Sequence, residues 1–135
     1  MADQALIDLS RYRLEKAGEM YTAALRDLRE RDYASANNRA YYCIFHAMRA
    51  VLALDGEDYK KHSAVIARFT LNYLKTDIFP RDYGTLIANA ALIRNRSDYE
   101  DFYICSVEDT NRLVDGAQEF LDEVRKYLDT HYKKV

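Results

Sequence analysis

The stretch Tyr33-Ala-Ser-Ala-Asn37-Asn-Arg-Ala-Tyr41-Tyr-Cys-Ile-Phe-His46-Ala-Met-Arg-Ala-Val51-Leu-Ala-Leu54 decides the fold. Tyr41, Ile44, Met48 and Val51 recur at steps of three or four, which places them on one line of an α-helix, with Tyr42, Phe45 and Leu52 beside it. Apolar side chains cover much of the circumference. Such a helix is not satisfied by one neighbour; it belongs at the centre, in contact with more than one layer. Asn37 falls on the same line as Tyr41 and Ile44. Its amide either hydrogen-bonds inside the protein or faces a cleft. His46, alone among apolar neighbours, reads as a packed or half-exposed side chain.

Working outward, the rest of the chain supplies the cover. Residues about 4 to 31 read as a long helix with Leu14, Ala17, Tyr21, Ala24 and Leu28 on one face, widened by Met20 and Leu25. Its other face, with Arg13, Lys16, Glu19, Arg26, Asp27 and Glu30, reads as solvated, and Lys16 is spaced to pair with Glu19. Arg31-Asp32 closes this helix or caps the next. After Leu54, Asp55-Gly56-Glu57-Asp58 is a turn in which Gly56 permits a left-handed stop. A shorter helix, about 62 to 74, follows with Val65, Ile66, Phe69 and Leu74 on its apolar side. Lys60, Lys61 and His62 make a cationic cluster near its start, a position that suits an anion or simple solvent exposure. Residues 76 to 82, with Phe79-Pro80, form a loop, because the residue before proline resists the helical conformation.

A fourth helix is expected from about Arg81 to Arg96, with Tyr83, Leu86, Ile87, Ala90 and Ala91 on one face. Ser97-Asp98 is expected to break or recap it. Ser106-Val-Glu-Asp109 resembles a capping box and opens a last helix, about 107 to 131. There Val107, Val114, Ala117, Leu121, Val124 and Leu128, flanked by Leu113, Phe120 and Tyr127, form a broad stripe suited to antiparallel packing, with a second subunit as a further option. The expectation is a single all-α domain over residues 1–135: an up-and-down antiparallel bundle of four to five helices.

Composition agrees. With 135 residues, 49% apolar, the chain is long and greasy enough for one core and too apolar for disorder. One Pro and four Gly leave few breakers. The net charge of -2 neither demands nor excludes a nucleic-acid partner. Local balance is more informative: residues 39 to 81 carry seven Lys/Arg against four Asp/Glu, and residues 94 to 115 carry three against six. Cys43 and Cys105 lack the spacing of paired ligands and read as small buried hydrophobes, which fits a reducing cytoplasm. No stretch approaches the ~20 apolar residues of a membrane span, and no signal-peptide run opens the chain.

Several chemistries are missing. There is no glycine-rich phosphate loop, no HExxH, no CxxC and no nucleophile elbow. His46, His62 and His131 are unrelated by helix-face spacing, so neither a metal nor another cofactor is expected. Most of the twelve tyrosines lie on apolar faces, where the ring packs and the hydroxyl finds a partner.

What remains is Leu92-Ile-Arg94-Asn-Arg96-Ser-Asp98-Tyr-Glu-Asp101-Phe-Tyr103. Arg94 continues the apolar face of the fourth helix by one turn. A guanidinium there needs a partner. It is either an anion ligand or a structural tie to Asp98 or Asp101. Tyr99, Phe102 and Tyr103 crowd the exit.

The run Asn38-Arg-Ala-Tyr-Tyr-Cys-Ile-Phe-His46, then Lys61-His-Ser63, then Arg94-Asn-Arg-Ser-Asp-Tyr99, followed by a long amphipathic helix, resembles the HEPN superfamily, most of all its small stand-alone prokaryotic members. The similarity spans about residues 10 to 130. The resemblance implies a dimerising helical bundle and, in active members, metal-independent RNA cleavage. In those, an arginine, often followed by a polar residue, is separated from a histidine by four to six intervening residues, and two subunits bring their motifs into one cleft. Arginine stabilises charge on the phosphate, and histidine handles the protons. Arg94 matches the arginine and Asn95 the polar residue. Here the histidine is absent: Tyr99, Glu100 and Asp101 occupy its positions.

By this resemblance Arg94, Asn95 and Tyr99 are candidates for chemistry, and Arg94, Arg96, Asn37 and His62 for binding RNA or a nucleotide. Many such proteins pair with a minimal nucleotidyltransferase in toxin–antitoxin-like modules, and in some pairs a tyrosine near the motif receives AMP. Tyr99 and Tyr103 are the candidate acceptors by position. Three functions follow: a homodimeric RNA- or nucleotide-binding partner of a nucleotidyltransferase, a ribonuclease with a different proton carrier, or a non-catalytic helical scaffold.

Overall fold

A computed structural model, which describes residues 3–101 and 103–133, forms five α-helices. They are α1 (Gln4–Arg29), α2 (Tyr33–Leu54), α3 (His62–Phe69), α4 (Tyr83–Tyr99) and α5 (Val107–Tyr132). The all-α bundle expected from the sequence is the observed architecture. Helix α2 is its axis: α1, α3, α4 and α5 all pack on it. Thirteen of its residues are buried, among them Tyr41, Ile44, Phe45, Met48 and Val51, so the near-continuous apolar surface read in the sequence is covered on every side.

Local signals set the ends. Asp3 caps α1 by accepting from the Ala5 amide at 2.9 Å, and Asp32 caps α2 from the Ser35 amide at 3.2 Å. Between α1 and α2 the chain turns at Arg31, which adopts a left-handed φ of 62°. Gly56 takes φ 74° after α2, as its freedom from a Cβ allows. Ser106 accepts from the Asp109 amide at 3.0 Å and starts α5. The third helix reaches Leu74 as expected, but its last turn, Thr70–Leu74, widens to π geometry. Thr70 returns its hydroxyl to the Ile66 carbonyl at 2.7 Å at that point. This turn buries Tyr73 and Leu74 beside Phe69 and Phe79, so even the loop before Pro80 contributes a ring to the core.

Three expectations are corrected. Ser97-Asp98 does not break α4, which runs on to Tyr99. The i,i+4 pairs Arg94–Asp98 (3.6 Å) and Arg96–Glu100 (3.2 Å) support the extra turn, and the Ser97 hydroxyl contacts the Cys105 sulfur at 3.2 Å instead of competing for backbone. The polar face of α1 is not uniformly solvated: Arg13 and Asp27 are each only 7% exposed. Lys16 sets its ammonium over the Tyr12 ring rather than on Glu19. Finally, Val107 and Tyr99 stand out in solvent, although the rest of the α5 stripe is buried. Phe102 lies outside the described residues.

Candidate functional site

Arg94 is placed by the C-terminal half of α4 against the middle of α2. Its guanidinium carbon sits 5.2 Å from the Tyr41 ring centre and 5.5 Å from that of Tyr42, a cation–π cradle on two faces. The side chain keeps 23% of its surface exposed. Its one carboxylate contact, Asp98 at 3.6 Å, comes from a residue itself half in solvent, and the buried Nε has no hydrogen-bond partner. The guanidinium is therefore neither sealed in the interior nor saturated.

Beneath it, the Tyr41 hydroxyl lies 2.8 Å from Nδ1 of His62, delivered from the start of α3. The His62 ring stacks on Phe45 at 4.1 Å between centres. Burial holds the His62 pKa below its ordinary value, and the charges of Arg94 and Arg49 push the same way. Burial raises the Tyr41 phenol, with Arg94 opposing. At neutral pH the phenol thus keeps its proton and the imidazole is neutral. The Tyr41 oxygen and His62 Nδ1 share one hydrogen, and which of them donates follows the imidazole tautomer. Arginine and histidine, 32 residues apart in sequence, become neighbours through one tyrosine.

The same face continues along α2. His46 and Arg49 follow Tyr42 at helical spacing, and the Arg49 guanidinium lies 5.7 Å from the Phe45 ring centre. Burial lowers His46 to about 4, reinforced by Arg49, Lys16, Arg13 and His62. Its Nδ1 is buried without a hydrogen-bond partner. Arg49 and Arg13 both reach the same oxygen of Asp58, at 2.8 and 3.1 Å.

Other candidates sit elsewhere. Asn37 is buried, donating to the Thr110 hydroxyl at 2.8 Å and the Tyr33 carbonyl at 2.9 Å. It ties α2 to α5 and does not face a cleft. Arg96 points to the opposite side of α4 from the Tyr41 cradle. There it pairs with Glu100 and covers the Tyr103 ring at 4.6 Å. Arg96 and Tyr103 line a depression of about 270 Å3 with Asn89, Leu92 and Arg112 between α4 and α5. Asn95 is exposed, and Tyr99 is 79% exposed and outside the cradle. Burial raises the Tyr103 phenol. Among the described residues, no three His, Cys, Asp or Glu side chains gather to hold a metal.

Sequence reasoning passed over Tyr41, Arg13 and Arg49 as functional groups. The signal for two of them was present: Arg49 stands one turn after His46 and two turns after Tyr42, so one face of α2 carries aromatic, imidazole and guanidinium groups in succession.

The fold is a helical bundle that brings Arg94, Tyr41 and His62 together on one face. The family model for the HEPN domain matches residues 10–127, and the chain belongs to that family. A protein of Methanocaldococcus jannaschii named "Putative toxin MJ0605" is 30% identical over 93% of this chain and 87% of its own length. A second protein of that organism, "Putative toxin MJ0142", is 26% identical over 93% of this chain and 80% of its own length. A "UPF0332 protein" of Thermotoga maritima is 30% identical over 70% of this chain and 72% of its own length. The chain is thus a toxin-like HEPN protein. No described helix is long and apolar enough to cross a membrane.

Proposed function

We propose that this HEPN protein binds the phosphates of RNA or a nucleotide at Arg94, as a homodimer, and acts with a minimal nucleotidyltransferase in a toxin–antitoxin-like module of the cytoplasm. The observation that carries the reading is the Arg94 guanidinium, set between the Tyr41 and Tyr42 rings, part-exposed and held by a single long carboxylate contact. A phosphate offers shorter, charge-assisted bonds than Asp98 does at 3.6 Å. His62, bonded to Tyr41, brings an imidazole beside it. Asn95 and Arg96 flank the site on α4 without entering the cradle. Tyr99, with its ring in solvent, is the more accessible AMP acceptor, whereas Tyr103 is covered by Arg96.

Arg94→Ala tests the reading by titration with a labelled oligoribonucleotide. Loss of one charge-assisted contact corresponds to about 1.5–3 kcal/mol, or roughly 10- to 100-fold in affinity. Unchanged affinity in a folded variant overturns it. Reading the neighbouring gene and co-expressing its product tests the partnership: a minimal nucleotidyltransferase there that forms a stable complex, or adds AMP to Tyr99, supports it, and absence of both defeats it.

A second reading, metal-independent ribonuclease, is favoured by the proximity of His62 to Arg94 through Tyr41. In it the 2′-hydroxyl attacks the adjacent phosphorus, the 5′-oxygen leaves, and His62 handles the proton in place of the missing motif histidine. It predicts 2′,3′-cyclic phosphate and 5′-hydroxyl ends that disappear in His62→Ala.

A further inference from the structure

Arg13 and Arg49 present a group that a structural tie does not explain. Two guanidiniums, from α1 and α2, converge on one oxygen of Asp58 at 3.1 and 2.8 Å. Each guanidinium carries five N–H donors. Their acceptors are that carboxylate and the Arg49 carbonyl, which Arg13 reaches at 3.4 Å. The Arg49 Nε is buried without a partner. Arg13 is 92% buried at its side chain, and the like charge of Arg49 presses on it: burial first, then Arg49, lowers its pKa against the pull of Asp58. One negative charge faces two positive ones, and Lys16 adds to the same field, which His46 also feels. Asp58 itself is 58% exposed on a loop. Its carboxylate therefore occupies a donor-rich, undercompensated pocket from the solvent side, where an oxyanion with more acceptor atoms fits better.

This pocket is joined to Arg94 by a continuous run of rings. Arg94 lies over Tyr41, Tyr41 bonds His62, His62 stacks on Phe45, and Phe45 carries the Arg49 guanidinium. Along α2, Tyr41 and Arg49 are eight residues apart, or about 12 Å. A stacked strand advances ~3.4 Å of axis per nucleotide, so this span is longer than one nucleotide step. We infer that Arg13 and Arg49 form a second phosphate site, with Asp58 as its resident stand-in, so that the ligand of this face is a single-stranded oligoribonucleotide spanning both sites rather than a mononucleotide. Its bases meet the part-exposed Tyr42 and His62 rings between the two ends. The inference rests on the reading of Arg94 as a phosphate ligand.

The test compares a labelled hexaribonucleotide with the dinucleotide UpU on the full chain, folding of each variant being checked by circular dichroism. Wild type should bind the hexamer at least 10-fold more tightly. Arg49→Gln should weaken the hexamer about 10-fold, leave UpU unchanged, and reduce the slope of log K against log salt by about 0.7. Asp58→Asn should tighten the hexamer by removing the competing carboxylate. Equal affinity of wild type for both probes, an unchanged salt slope in Arg49→Gln, or weaker hexamer binding in folded Asp58→Asn overturns the second site. If Arg94→Ala binds both probes like wild type while Arg49→Gln loses the hexamer, the second site stands and the Arg94 reading falls.

Discussion

Helices α5 and α4 are both long and both pack on α2, yet they are built differently. Helix α5 buries eight residues, from Thr110 to Leu128, in one stripe, with acidic Glu108 and Asp109 at its positive end. Helix α4 buries only Ile87 and Ala90, leaves Leu92 54% exposed, and spends its last two turns on Arg94, Arg96 and their carboxylate partners. The first helix is held by apolar burial. The second is held loosely by burial and carries the charged groups that face α2. The contrast teaches that apolar burial and charged groups are separated by element in this small bundle, with α2 meeting both.

Phe120→Ala should cost most. The ring is fully buried among Phe69, Phe79 and Tyr83, so about 3–5 kcal/mol of unfolding free energy is expected to vanish in urea titration. Leu92→Ala on α4 should stay within about 0.5 kcal/mol. Comparable losses from the two changes would erase the distinction between the helices. Next in size, Asn37→Ala removes the α2–α5 bond to Thr110 and should cost about 1–3 kcal/mol, while oligonucleotide affinity stays at the wild-type level. A specific loss of affinity without destabilisation would return Asn37 to the binding face.

The third test uses pH. The ordinary histidine pKa of 6.5 falls to about 4 for His46 in the folded chain. The unfolded chain thus binds the proton more readily, and stability falls as pH drops from 6.5 toward 4. The expected loss is about 1–2 kcal/mol once screening at a half-buried ring is allowed for. His46→Leu should flatten that part of the curve, measured by denaturant unfolding at pH 7 and pH 5, and an unaltered slope would refute the role. Arg94→Ala should also change stability little, within about 1 kcal/mol, even though its effect on binding is large. A substantial fall in melting temperature with intact binding would make Arg94 a tie and its helix a scaffold.

Much of this was legible in the chain. The axis helix, the caps Asp32 and Ser106, the stop at Gly56 and the stripe of α5 follow from periodicity and from short-range hydrogen bonding, which sequence displays directly. Arg94 was legible too, because a cation on an apolar line is conspicuous. The run through Ser97-Asp98 was not, since the i,i+4 pairs that extend α4 compete with a capping tendency of similar size. Nor was the burial of Arg13 and Asp27, whose surroundings come from distant segments.

The sequence by itself determined that this protein is a helical bundle organised on residues 33–54, with an arginine set on the inner side of its fourth helix. Only the tertiary structure decided which groups that arginine meets. Arg94 from α4 meets Tyr41 of α2, which in turn meets His62 of α3, while Arg49 of α2 meets Asp58 of the loop between, and no periodicity within one helix encodes contacts between helices. Local spacing fixes which face a side chain is on; the packing of neighbouring helices fixes what stands opposite it.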